Sequence, residues 1–162
     1  MTRVLQTLAL IPASKSEIFE LLISEKFNHK KSDITDSKVI AFTKKLVDGS
    51  TQTTLSRKFN REVPALAQNF IGNEILADEI FIWNSTQDQA EITIKITKAP
   101  IEISGTLQLS EKNLETELAI NLYINTQLPF FKEKIEDFAE KIWTSISNSE
   151  VNLLRSHFTQ QF

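Results

Sequence analysis

The stretch ITIKITKAPIEISGTLQL, residues 92–109, decides how the rest of the chain is read. Ile92, Ile94 and Ile96 alternate with polar residues, and so do Ile101, Ile103, Leu107 and Leu109, but on odd numbers. Successive side chains of a strand point to opposite faces, so one straight strand cannot switch phase. The chain must turn or bulge near Lys98-Ala99-Pro100, giving two strands that each carry one apolar face.

The same period runs outward in both directions. Residues 3–11 read as a strand, and Ser14 or Ser16 can cap a helix carrying Ile18, Leu21 and Leu22. Residues 26–37 are polar and rich in turn formers, which predicts a connection. Ile40, Phe42 and Leu46 share the face of one strand; Asp48-Gly49-Ser50 signals a hairpin; Leu55 and Phe59 share a face of its partner. Pro64 fits the first turn of a short helix and Gly72 its end. NEILADEIFIWNS (73–85) is a strand with apolar residues on both faces, so its register stays open. Leu118, Ile120, Leu122 and Ile124 line one face of the last strand. After Pro129 the period changes to about 3.6: Phe131, Ile135, Phe138, Ile142 and Ile146 form one stripe of a long helix. That helix reaches about Phe158, with a candidate break at Ser147-Asn148-Ser149.

Composition narrows the functional classes. The chain has 162 residues, 41% hydrophobic and 24% charged, which suits a single globular domain over 1–162. It has no cysteine, which removes disulfides and thiolate chemistry and fits a reducing, cytoplasmic compartment. A net charge of −3 without a basic block argues against a nucleic-acid partner. No apolar run approaches the roughly 20 residues of a transmembrane helix. The start reads as a strand rather than a signal peptide, because Gln6 and Thr7 interrupt its apolar run. The two histidines, His29 and His157, have no second ligand at metal spacing; the three glycines form no phosphate loop; Asp33-Ile34-Thr35-Asp36 lacks the calcium-loop pattern. No cofactor is therefore expected. Asn84-Ser85-Thr86 is a glycosylation sequon that would stay idle inside a cell.

Strand, helix, long antiparallel sheet and C-terminal helix is the order of the helix-grip fold. LALIPASKSEIFELLIS resembles the opening of START and polyketide-cyclase-like domains, the SRPBCC superfamily, with Pro12, Ala13, Ile18, Phe19 and Leu22 in the corresponding places. The whole chain is similar to a mostly actinobacterial family of uncharacterised domains within it. The matching pieces are Val63-Pro64 with Phe70 and Gly72, Trp83, Pro100 with Ser104-Gly105, Leu107 and Leu109, and Pro129 followed by Ile135-Glu136. It departs from that pattern at Lys132 and Glu133, where glycine is expected. The resemblance implies an α+β fold, a curved antiparallel sheet of about seven strands around the last helix, and a tendency to bind apolar ligands.

Three functions compete: a module binding a small apolar or amphipathic molecule between sheet and helix, a polyketide cyclase or dehydratase-like enzyme, and a protein-interaction module with a filled core. The lack of an inward His, Tyr or carboxylate pair in the readable strands weighs against the enzyme. The expected lining is Phe42, Leu55, Arg57, Phe59, Phe81, Trp83, Ile94, Ile103, Ile120, Ile135, Phe138 and Ile142. Arg57 sits on an apolar phase, which makes it either the partner of Asp78 or Glu79 or the anchor of an acidic head group. Lys44, also on an apolar phase, reads as exposed at a strand end. Ligand pockets start at roughly 300 Å³. Left empty, such a void would cost about 7 kcal/mol at about 24 cal/mol per Å³. That rivals a typical domain stability of about 5–15 kcal/mol. A large void is therefore filled by side chains such as Phe42, Phe59, Phe81, Phe131 and Phe138, opened to water, or occupied.

Overall fold

A computed structural model describes residues 3–97, 99–127 and 132–159. Lys98, Pro129 and Phe131 lie outside the described residues. Among those described, the order is β1 (Arg3–Ile11), α1 (Lys15–Leu22), α2 (Glu25–Ile34), β2 (Ser37–Val47), β3 (Ser50–Phe59), α3 (Ala65–Ile71), β4 (Ile75–Trp83), β5 (Gln89–Ile96), β6 (Ile101–Lys112), β7 (Glu115–Thr126) and α4 (Lys132–Thr159). The strands make one curved antiparallel sheet in the order β1-β7-β6-β5-β4-β3-β2. Strands β2 to β7 pair with their sequence neighbours. β1 instead pairs with the last strand, with Arg3 opposite Ile124 and Ile11 opposite Thr116.

The phase switch inside residues 92–109 is a strand end followed by a new strand. β5 and β6 pair antiparallel with Ile94 opposite Ile103. All of Ile92, Ile94, Ile96, Ile101, Ile103, Leu107 and Leu109 are buried on the concave face. The open register of residues 73–85 resolves with Ile75, Ala77, Glu79, Phe81 and Trp83 facing inward, set by Leu55 opposite Glu79 and Glu79 opposite Ile94. Asp48 and Gly49 both have positive φ, the geometry of the two-residue hairpin turn.

Gly105 lies where β6 runs against the backbone of β7, opposite Leu122. A Cβ there would stand 1.8 Å from the Asn121 carbonyl oxygen, a backbone atom that cannot rotate away. Gly105→Ala is expected to cost about 1–3 kcal/mol through the forced shift between strands, read from a denaturant melt. A loss below about 0.5 kcal/mol would mean that the two strands part freely.

The sequence reading needs three corrections. The polar stretch 26–37 is mostly helix α2. Ser24 caps it by accepting from the Phe27 amide at 3.2 Å. Its buried face is Phe27, Asn28, Lys31 and Ser32, which recurs at helical spacing but is largely polar. Asn28 donates to the Leu22 and Ser24 carbonyls, tying α2 to α1. Second, a bulge between Val39 and Ala41 takes Ile40 out of phase with Phe42 and leaves it exposed; Leu46 is exposed as well, at the overhanging end of β2. Third, α4 runs its full 28 residues through Ser147-Asn148-Ser149 without interruption.

α4 lies across the concave face. Its buried stripe is Ile135, Ala139, Ile142, Trp143, Ile146, Val151 and Leu154, with Phe138 at the margin. Two edge-to-face aromatic pairs lock the layers: Phe59 with Trp143 at 5.8 Å, and Phe19 with Trp83 at 5.1 Å. No helix of the described residues is long and apolar enough to cross a membrane.

Candidate functional site

Under α2 and α4 the apolar interior ends on four charged side chains. Arg57 projects from the concave face of β3 and is fully buried. Glu79, on the neighbouring strand one inward step away, is 4% exposed. Arg57 grips it with both sides of its fork, Nε to Oε2 and Nη2 to Oε1, the latter at 3.0 Å. Nη2 also donates to Glu150 Oε1 of α4 at 2.8 Å. Nη1 faces three hydroxyls: Thr35 at 3.2 Å, and Ser32 and Ser37 at 3.5 Å. Below the guanidinium lies the Phe59 ring, 4.7 Å away. Burial opposes the charge on Arg57, but the carboxylates of Glu79 and then Glu150 outweigh it, so its pKa is pushed up from an already high value.

Of the two readings of Arg57, the ion pair is the one present, and Glu79 is the partner. Asp78 points the other way and accepts from Ser56 at 2.6 Å. The sequence reading found no inward carboxylate pair in the readable strands; Glu79 of β4 and Glu150 of α4 form one outside them. The first was hidden by the open register of β4 and the second by the distance along the chain to α4.

The fourth charge is Lys31 of α2. Its ammonium lies 3.9 Å from Glu150 Oε2 and 5.5 Å from the centre of the Phe81 ring. Lys31, Glu150 and Phe81 form one wall of a crevice completed by Leu22, Phe27, Leu107, Leu118, Ile120, Val151 and Leu154. Its free volume is about 40 Å³. Leu22, Phe81 and Ile120 are half-exposed, so the crevice opens to solvent. Larger hollows, such as the one of about 510 Å³ along Asp137, Lys141 and Thr144, lie on the outer surface away from these groups.

The expected lining residues divide into two sets. Leu55, Arg57, Phe59, Trp83, Ile94, Ile103, Ile135 and Ile142 are buried in the core, whereas Phe42, Phe81, Ile120 and Phe138 are half-buried. Phe81 and Ile120 reach the crevice, and Arg57 adjoins it through Glu150. Lys31, Phe27 and Glu150 were missed. The signal that could have found the first two is the Ser24 cap with a face at 27, 28, 31 and 32. His29 is on the outer side of α2, near Glu25, and Lys44 is exposed. Among the described residues no group of His, Asp and Glu side chains could hold a metal ion.

Comparison with known proteins finds a family match and solved structures of similar fold. A family model described as "Protein of unknown function (DUF2505)" matches residues 7–156. No curated protein matches. Among solved structures, the chain is similar to the Zhui aromatase/cyclase from Streptomyces sp. R1128, at 10% identity and a TM-score of 0.69, over 99% of this chain and 96% of that one. It is similar to a START superfamily protein from Mycobacterium smegmatis, at 12% identity and a TM-score of 0.60, over 98% and 99%. A protein from Thermus thermophilus shares 12% identity with a TM-score of 0.65, over 97% of each chain. At these identities the likeness concerns the fold, and the fold is the START-like helix grip.

Proposed function

We propose that this chain, which belongs to the DUF2505 family of proteins of unknown function, binds a small apolar or amphipathic molecule between its sheet and its C-terminal helix. One observation carries the reading: a solvent-reached apolar crevice that ends on charges, the buried Lys31 and the half-buried Glu150, rather than on more hydrocarbon. A polar end beside hydrocarbon is what an amphipathic molecule requires of its site. The small free volume fits a chamber that is closed when empty, since an empty void of ligand size would cost about 7 kcal/mol. Binding then opens the apolar part of the crevice while Lys31 and Glu150 keep their spacing, and the half-buried Leu22, Phe81 and Ile120 receive the apolar part of the ligand.

The test is a thermal melt of purified protein against an environment-sensitive dye, medium-chain alcohols and fatty acids. A ligand at 100 times its dissociation constant adds about 2.7 kcal/mol. For a chain of this size that raises the melting temperature by about 5–10 °C. A native mass spectrum of the same sample reads any co-purified lipid. The crevice's free volume of about 40 Å³ favours a second reading, an interaction module with a filled interior. No shift across the panel, together with a clean protein mass, selects it.

A further inference from the structure

The charges around the crevice specify a head group. We propose that the ligand's polar end is a single neutral hydroxyl, held between Lys31 Nζ and Glu150 Oε2; this rests on the apolar-site reading above. Arg57 is not available for the task. Its Nε and Nη2 hydrogens are taken by Glu79 and Glu150, and Nη1 faces Ser32, Thr35 and Ser37. Lys31 differs. It is only 7% exposed, and among the described residues its nearest carboxylate oxygen is at 3.9 Å, beyond hydrogen-bond reach. Its ammonium, with three donors, faces a crevice that opens to solvent, so a ligand acceptor there can take the place of water.

Two features select a hydroxyl. The first is geometry: an oxygen ~2.8 Å from both Lys31 Nζ and Glu150 Oε2 would bridge their gap at an angle of ~90°. It would accept from the ammonium and donate to the carboxylate. The second is charge. Lys31 and Arg57 balance Glu79 and Glu150, so a carboxylate or phosphate head would leave an uncompensated buried negative charge beside Glu150, and an ammonium head a positive one beside Lys31. A hydroxyl leaves the balance untouched.

The experiment compares three probes with one tail: decan-1-ol, decanoate and decylammonium, titrated into the full-length protein by calorimetry. Decan-1-ol is expected to bind about tenfold more tightly than either ion. Lys31→Met keeps the length of the stem and should weaken decan-1-ol about tenfold; Lys31→Gln, which keeps a donor without the charge, should retain part of the affinity and stands in if the methionine variant does not fold. Decanoate binding as tightly as decan-1-ol, or Lys31→Met leaving decan-1-ol unchanged, overturns the hydroxyl assignment. Three probes that bind equally overturn the head group alone and leave the apolar site standing. Three probes that all fail to bind overturn both.

Discussion

Arg57→Met is expected to destabilise the protein by about 3–5 kcal/mol, the range for removing one partner of a buried ion pair. The methionine keeps an apolar stem but removes the guanidinium from over the Phe59 ring and with it every donor that now faces Glu79 and Glu150. Glu79 suffers most. It is 4% exposed and sits in a row of Leu55, Ile94 and Ile103 across the sheet, where no water replaces the guanidinium. The loss should appear as a lower denaturant midpoint. Arg57→Met with Glu79→Leu should recover most of it, because apolar residues of similar volume commonly match or exceed a buried pair. A single-variant loss below about 1 kcal/mol would mean that Glu79 reaches water by a route the fold does not display.

Trp143→Ala should also cost about 3–5 kcal/mol. Trp143 is buried at the middle of α4 and meets the Phe59 ring edge-to-face, so truncation opens a cavity between helix and sheet. Phe138→Ala should cost less, since that side chain lies at the margin of the stripe and remains partly in water. Equal losses at the two positions would rotate α4 about its axis relative to the packing described.

The legibility of this chain follows from where its apolar residues fall. β5, β6 and β7 read directly, because isoleucine and leucine at every second position leave one register that buries them. α4 read directly for the same reason at a period of 3.6, although Trp143 was overlooked beside Ile142. α2 did not read, because its inward face of Asn28, Lys31 and Ser32 meets hydroxyls, carbonyls and charges rather than hydrocarbon. Hydrophobic periodicity is blind to a helix whose buried side is polar. The candidate site failed to read for a related reason. Its four charges come from α2, β3, β4 and α4, and only Arg57 announced itself by standing in an apolar phase. Glu150, 93 residues further on, has nothing local to mark it.

The pairing of β1 with β7 sets a schedule for synthesis. Arg3 waits for Ile124, so 121 residues must follow before the first strand can take its place in the sheet. At about 5–20 residues per second, that is an interval of about 6–24 s. β1 carries no charge from Val4 to Ile11, and its apolar residues stand ready for any extended partner. Each later strand meets its hairpin partner almost as soon as it is made. Of the seven strands, the ribosome-bound chain therefore presents this uncharged apolar one first and shelters it last, which makes β1 the natural client for chaperones that hold extended apolar peptide.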